Sequence, residues 1–158
     1  MTDARGAHAL SIDVPSAVWV IDAIDAFVGA AATSAGLGAD SVQDVQVAVH
    51  EAVLNALVHG NRQDEARRIN LRVSMGVEGL EVDVQDQGQG FDASAVPDPR
   101  AAQNVGRSSG RGIFFMRALM DGVAFLPRAG GGTHVRMLKR RTLSSLRRLS
   151  TKTAVVVA

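Results

Sequence analysis

The chain has 158 residues, enough for one domain with a real core, and its 46% hydrophobic and 21% charged content argue against wholesale disorder. Cysteine is absent, which excludes a disulfide framework, a thiolate metal site and a cysteine nucleophile, and fits a reducing cytoplasm. The net charge of +1 hides an asymmetry: residues 139–158 carry six basic side chains (Lys139, Arg140, Arg141, Arg147, Arg148, Lys152) and no acid, leaving 11 basic against 16 acidic residues elsewhere, a body near −5.

A basic terminus without interleaved aromatics, on an acidic body, reads as a solvated tail and not as a nucleic-acid-binding surface. The start, MTDARGAHALSIDVPSAVW, lacks the basic end and apolar run of a signal peptide. The longest apolar region, Val14 to Ala35, is interrupted by Asp22 and Asp25 and is too broken to span a bilayer. The expectation is a soluble cytoplasmic protein with no membrane contact.

Leu10, Ile12 and Val14 alternate with polar residues and predict a first strand. Pro15 then opens a helix, with apolar residues at Val18, Ile21, Ile24, Ala26 and Val28, which the glycines of AGLG (35–38) end. Asp40 or Ser41 can cap a second helix that runs to about His59, where Gly60 and Asn61 stop it. Two strands follow, one with Leu71, Val73, Met75 and Val77 on a face and one with Leu80, Val82 and Val84, joined by a turn at Glu78–Gly79. A polar stretch from about Asp92 to Ser109 has no periodicity, and a loop of that length suggests a lid or a binding loop. GIFFMRALMD (112–121) reads as a short buried helix; GVAFLP, RAGGG and THVRMLK close the chain as a hairpin. The order predicts an α+β two-layer sandwich, a mixed, mostly antiparallel sheet with helices on one face. The domain is expected over residues 8–139, with 140–158 as the basic tail.

At about 100° per residue, Gln43, Gln46 and His50 fall on one side of the second helix, a plausible solvent face. Glu51, Asn55 and His59 form a separate stripe, with Val45, Val49, Ala52 and Ala56 on one flank and Leu54 and Val58 on the other. A partly buried carboxylate and carboxamide must be paired, so either a neighbouring strand satisfies them or they face a ligand cavity. Their oxygens are hard donors suited to Mg²⁺, and a carboxylate can also take a proton from a nucleophile.

Two glycine-rich segments add to this. In DQGQGFD, Asp86 can accept a hydrogen bond from an exocyclic amine while Gly88 and Gly90 allow close backbone approach to a flat ring. In GRSSGRGIFFMRAL, Gly106, Gly110 and Gly112 lead into a helix whose free amides attract phosphate, with Arg107 and Arg111 adding charge. No P-loop pattern occurs.

In this order, EAVLNALVHGN, DQGQGFD, GRGIFFMRALMD and GGGTHVRM resemble the Bergerat-type (GHKL, HATPase_c) ATP-binding fold over roughly residues 10–139. That superfamily includes type II topoisomerases, heat-shock protein 90, mismatch-repair proteins, histidine kinases and anti-sigma-factor serine kinases. The likeness is greatest to the small stand-alone anti-sigma serine kinases. It implies ATP and Mg²⁺ as cofactors, with Asn55 coordinating the metal and Glu51 acting as general base. It also implies Asp86 on the adenine amino group with help from Thr133, Gly88 and Gly90 along the base, and Gly110, Arg111 and Gly112 around the phosphates. Residues 92–109 would form the lid, and His59 would support the pocket wall.

Histidine kinases usually carry Asn where this chain has Glu51 and need an upstream phosphoacceptor segment. Topoisomerase and chaperone ATPases need further domains. The implied activity is therefore a serine/threonine protein kinase acting as an anti-sigma factor. Its implied partners are a sigma factor and a small antagonist protein, and it would act as a homodimer with the first strand and helix near the interface. The alternatives are a nucleotide-gated partner-binding module with little kinase activity, or a histidine-kinase-like ATPase domain.

Overall fold

The computed structural model describes residues 8–90 and 111–142. Strands β1 (His8–Pro15), β2 (Arg68–Met75), β3 (Gly79–Gln85), β4 (Gly122–Pro127) and β5 (Thr133–Arg140) form one sheet in the order β1-β2-β3-β5-β4. All four neighbour pairs are antiparallel. Helices α1 (Ile21–Ser34), α2 (Ala39–Asn55) and α3 (Arg111–Leu119) cover one face, which is the expected α+β two-layer arrangement.

Alternation in the strands sets that face. Ile69, Leu71 and Val73 of β2, Leu80, Val82 and Val84 of β3, and Val135 and Met137 of β5 are buried against the helices. They meet Ile24, Val28 and Ala32 of α1, Val45, Val49, Ala52 and Val53 of α2, and Ile113 and Met116 of α3. Each of the valine, leucine, isoleucine and methionine side chains stabilises the fold by about 1.5–3 kcal/mol relative to exposure. α2 lies between the other two helices and packs on both, so its remaining faces decide what the site can hold.

Several boundaries differ from the sequence reading for local reasons. Proline opens no helix: β1 continues through Pro15, a 3-10 turn follows at Val18–Val20, and α1 begins only at Ile21. Val18 and Trp19 are consequently exposed, and Ala26 lies on the outer side of α1. Gly36, at φ +77, ends α1 with the Leu37 amide donating to the Ala32 carbonyl, while Leu37 itself is buried. α2 has Gly38 at its N-cap and no side-chain cap, so neither Asp40 nor Ser41 serves there. Gln46 and His50 do not face open solvent. Gln46 Nε2 donates to the Asp25 carbonyl and His50 Nδ1 bonds Asp25 Oδ2 at 2.8 Å, fixing α2 against α1. Val77 stands in the β2–β3 turn, 86% exposed, because β2 stops at Met75.

The basic run begins inside the packed body. Lys139 Nζ donates to Asp44 Oδ2 and to the Leu119 carbonyl, and Arg141 Nε donates to the Ala35 carbonyl. Residues 143–158, the rest of the expected tail, lie outside the described residues. On the sheet's other face Asp83 is buried under His134 and Arg136. The Arg136 guanidinium is pushed above its ordinary value chiefly by its hydrogen bond to Asp83, with burial opposing, so it stays charged wherever the protein is folded.

Candidate functional site

The polar stripe of α2 faces the start of α3. Glu51 and Asn55 are half-buried, and among the described residues neither forms a hydrogen bond or ion pair. Gly112, the second residue of α3, lies directly over them: a Cβ there would stand 2.6 Å from Glu51 Oε2 and 3.4 Å from Asn55 Nδ2. Any larger residue there would have to push the Glu51 carboxylate aside, and the two polar side chains are held without being satisfied.

Beyond Asn55 the helix widens into a π-turn, Ala56–Gly60, closed by the Asn61 amide donating to the Ala56 carbonyl at 2.7 Å. In an α-helix Asn55 would share its face with His59. The added residue instead turns Gly60 inward, and His59 is exposed, away from the pocket wall expected for it. Asn61, fully buried, then fastens the turn: its Nδ2 donates to the Arg68 carbonyl, and its Oδ1 accepts from the Gln87 amide.

That fastening presses Gly60 onto Asp86. A Cβ on Gly60 would lie 2.5 Å from the Asp86 carboxyl carbon, and one on Gly88 would lie 2.1 Å from the Gly60 carbonyl oxygen. Asp86 is 4% exposed, just past the end of β3. Its Oδ1 accepts from the amides of Gly88 (2.8 Å) and Thr133 (3.1 Å), its own amide donates to the Thr133 carbonyl, and its carbonyl accepts from Arg128 Nη1 at 2.8 Å. Oδ2 has no donor among the described residues.

Asn55, Gly60, Asp86 and Thr133 open into one narrow recess, partly continuous with solvent, whose apolar walls are Ala52, Ala56, Val84, Phe125 and Val135. Thr133 is 5% exposed, and its hydroxyl oxygen is buried with no hydrogen-bond partner. An unengaged carboxylate oxygen and an unengaged hydroxyl therefore share a mostly apolar slot, a donor–acceptor pattern suited to the edge of a planar heterocycle bearing an amino group.

Of the sequence-derived site residues, Asn55, Asp86 and Thr133 line the recess, while Gly88 packs beneath it on Gly60. Glu51 and Gly112 meet beside Asn55 and do not line the recess, and Arg111 is exposed at the start of α3. Gly90 is exposed at φ +79, next to the Gly132 carbonyl. Gly110 and the expected lid, 92–109, lie outside the described residues. Phe125, Asn61, Gly60 and Arg128 also shape the site, although sequence patterns alone do not mark them for it. The three consecutive glycines after Arg128 were the available signal for the last of these.

The sheet order, the one-sided helices and the glycine-lined recess at the end of α2 define a GHKL-type ATPase domain. The chain belongs to the histidine kinase-like ATPase domain family, whose model matches residues 15–139. The serine-protein kinase RsbW of Oceanobacillus iheyensis is 31% identical over 94 residues, covering 56% of this chain and 60% of that protein. The anti-sigma F factor of Clostridium botulinum is 32% identical over 110 residues, covering 67% of this chain and 76% of the relative. The chain thus spans between three fifths and about three quarters of these relatives. The RsbU and RsbW domains of Rv1364c from Mycobacterium tuberculosis share the fold, with a TM-score of 0.59 and 18% identity over 84% of this chain and 32% of that one. Among the described residues no helix is long and apolar enough to cross a membrane.

Proposed function

We propose that the chain is an ATP-dependent serine/threonine protein kinase that acts as an anti-sigma factor in a partner-switching module. In this reading it binds a sigma factor and transfers phosphate to a hydroxyl of a small antagonist protein, and it works as a homodimer. The observation that carries the reading is the buried, unpartnered hydroxyl of Thr133 beside the uncommitted Oδ2 of Asp86. A buried hydroxyl without a partner is destabilising by about 1–3 kcal/mol, which is explicable where a ligand completes it. The chemistry of adenine matches: its amino group would donate to Asp86 Oδ2, with Thr133 on the adjoining ring edge, between Val84, Phe125 and the α2 alanines.

The α3 end of the site supports the phosphotransfer half. Free amides at the start of α3, together with Arg111 and Gly110, would hold the phosphates. Asn55 would supply a hard oxygen to Mg²⁺. Among the described residues no group of three His, Cys, Asp or Glu side chains could hold a metal by itself. When bound, Mg²⁺ would neutralise phosphate charge and align the transferring group. Glu51, one turn from Asn55 and unpaired, would accept the proton of the incoming serine or threonine hydroxyl, a general-base effect of about 10²–10⁴-fold. A protein that only sequesters a partner needs no such base, and both sequence relatives named above are a serine-protein kinase and an anti-sigma factor.

The test is incubation with γ-labelled ATP, Mg²⁺ and a small antagonist-domain protein from the same organism. Label should appear on a serine or threonine of the antagonist. Tight ATP binding with no transfer would instead establish a nucleotide-gated binding module.

A further inference from the structure

Asp86 can read a base only if its carboxylate and the backbone that carries it are held still, and among the described residues every hydrogen bond to Asp86 comes from the main chain except one. The amides of Gly88 and Thr133 fix Oδ1, and the backbone of Thr133 pairs with the Asp86 amide. The remaining bond runs from Arg128 Nη1 to the Asp86 carbonyl, 2.8 Å, across 42 residues of sequence. Arg128 is half-buried, and among the described residues no carboxylate pairs with it. A guanidinium in that position has given up part of its hydration for a single neutral carbonyl, which is unusual for a group that ordinarily seeks an acid.

The hairpin that carries Arg128 is shaped for this contact. Gly130, Gly131 and Gly132 have φ of +89, +94 and +96, a left-handed run that other residues rarely adopt. It lays the chain onto the Asp86 loop: a Cβ at Gly132 would stand 2.1 Å from the Asp86 carbonyl oxygen, and one at Gly131 would stand 3.2 Å from the Gly88 carbonyl oxygen. The Gly131 amide closes the turn by donating to the Arg128 carbonyl at 3.1 Å. The same carbonyl of Asp86 is therefore touched by the arginine and overlaid by the third glycine, just past the end of β3.

We propose that Arg128 is a positioning residue for base selection: through the Asp86 carbonyl it fixes the orientation of the Asp86 carboxylate, and so sets the preference for a 6-amino purine over a 6-oxo purine. The inference rests on the recess being a purine-nucleotide site. With the carbonyl held, Oδ2 stays an acceptor in one place, which favours adenine's amino group and repels the O6 acceptor of guanine. With the arginine gone, the loop can pivot, the adenine bond lengthens and the penalty against guanine relaxes. The arginine touches neither base nor phosphate in this scheme, so it alters selection without entering the transfer step.

The experiment measures equilibrium binding of fluorescent ATP and GTP analogues to the full chain and to Arg128→Ala, Arg128→Lys and Arg128→Gln. Weakening of the bond from the base to the Asp86 carboxylate, worth about 1.5 kcal/mol, predicts up to about tenfold weaker ATP binding in Arg128→Ala. GTP binding should weaken little or improve, so that the ATP:GTP preference falls at least several-fold. Arg128→Lys, which keeps a cationic donor, should recover part of the preference, whereas maximal transfer rate at saturating ATP stays near wild type in all three. An unchanged ATP:GTP ratio in Arg128→Ala, or equal weakening of both nucleotides with a lowered melting temperature, overturns the inference and leaves a purely structural tie. If Arg128→Ala does not fold, an unchanged ratio in Arg128→Gln overturns it in the same way. Failure of the wild-type chain to bind either nucleotide would refute the purine site itself, a separate outcome read before any variant.

Discussion

Replacing Thr133 by valine separates a ligand-binding hydroxyl from a structural one, because the two roles predict opposite signs. The Thr133 amide and carbonyl make the bonds to Asp86, and valine keeps both as well as the β-branch and the shape. What disappears is an oxygen that is buried and has no protein partner. Removing it relieves part of a penalty of about 1–3 kcal/mol; taking about 1 kcal/mol, the ligand-free melting temperature should rise by about 3 °C for a domain of this size. In the complex the same change deletes one neutral hydrogen bond and leaves a group of the base unpaired, together about 2 kcal/mol or roughly 30-fold in Kd. At saturating ATP that loss appears as about 2 kcal/mol less ligand stabilisation. Thermal melts with and without Mg-ATP, alongside a fluorescence titration, read both effects on one sample. A valine variant that melts lower without ligand, and whose ATP-induced shift equals that of wild type, would refute the assignment of this hydroxyl to the nucleotide.

The α2–α3 end of the site yields three further expectations. Glu51→Gln keeps the shape of the side chain but removes the base, so ATP binding should stay within about twofold while transfer to the antagonist falls about 10²–10⁴-fold; a near-normal single-turnover rate would rule Glu51 out. Asn55→Ala should abolish the Mg²⁺ dependence of nucleotide affinity, tested by titrating ATP with and without the metal, and a retained dependence would place the ion elsewhere. Gly112→Ala introduces a Cβ only 2.6 Å from Glu51 Oε2, the movable end of a side chain. Alanine is also the better helix former by about 0.8–1 kcal/mol. Stability should hold or rise while transfer drops at least tenfold, and a loss of stability without a loss of rate would contradict the contact.

The layers of the fold were legible because they follow from alternation. Leu80, Val82 and Val84, or Leu71 and Val73, have one face each, and nothing in the tertiary structure overrides them. What periodicity could not give was the identity of each helix's neighbour. Gln46 and His50 looked like a solvent stripe because polar residues usually are one; their partner is Asp25, whose position on α1 depends on where that helix starts. That start was misplaced because a proline after a strand signals a helix end or a helix start equally well, and here β1 keeps Pro15 at its edge. The Asp86, Gly88 and Thr133 cluster was legible only as separate motifs. No local pattern says that residues 47 positions apart share a hydrogen bond.

The π-turn is where the two halves of the site become one. A regular helix repeats a face every three or four residues, so a site built on α2 alone would have presented Glu51, Asn55 and His59 to a single neighbour. Such a stripe could hold phosphate chemistry at α3 but could not also reach the base-reading carboxylate at the end of β3. Inserting one residue between Asn55 and Gly60 rotates the end of the helix, exposes His59 and turns a glycine inward, and only a glycine leaves room for the Asp86 carboxyl carbon 2.5 Å from the position of its absent Cβ. Asn61, buried and bonded to both the β2 edge and the Gln87 amide, prevents the turn from relaxing back to α-geometry. π-Turns are rare because their hydrogen bonds are poorer than those of an α-helix, and they concentrate at functional sites. This one has a definable purpose: it lets a single helix carry the polar pair facing α3 while packing its last residue beneath the group that faces the recess.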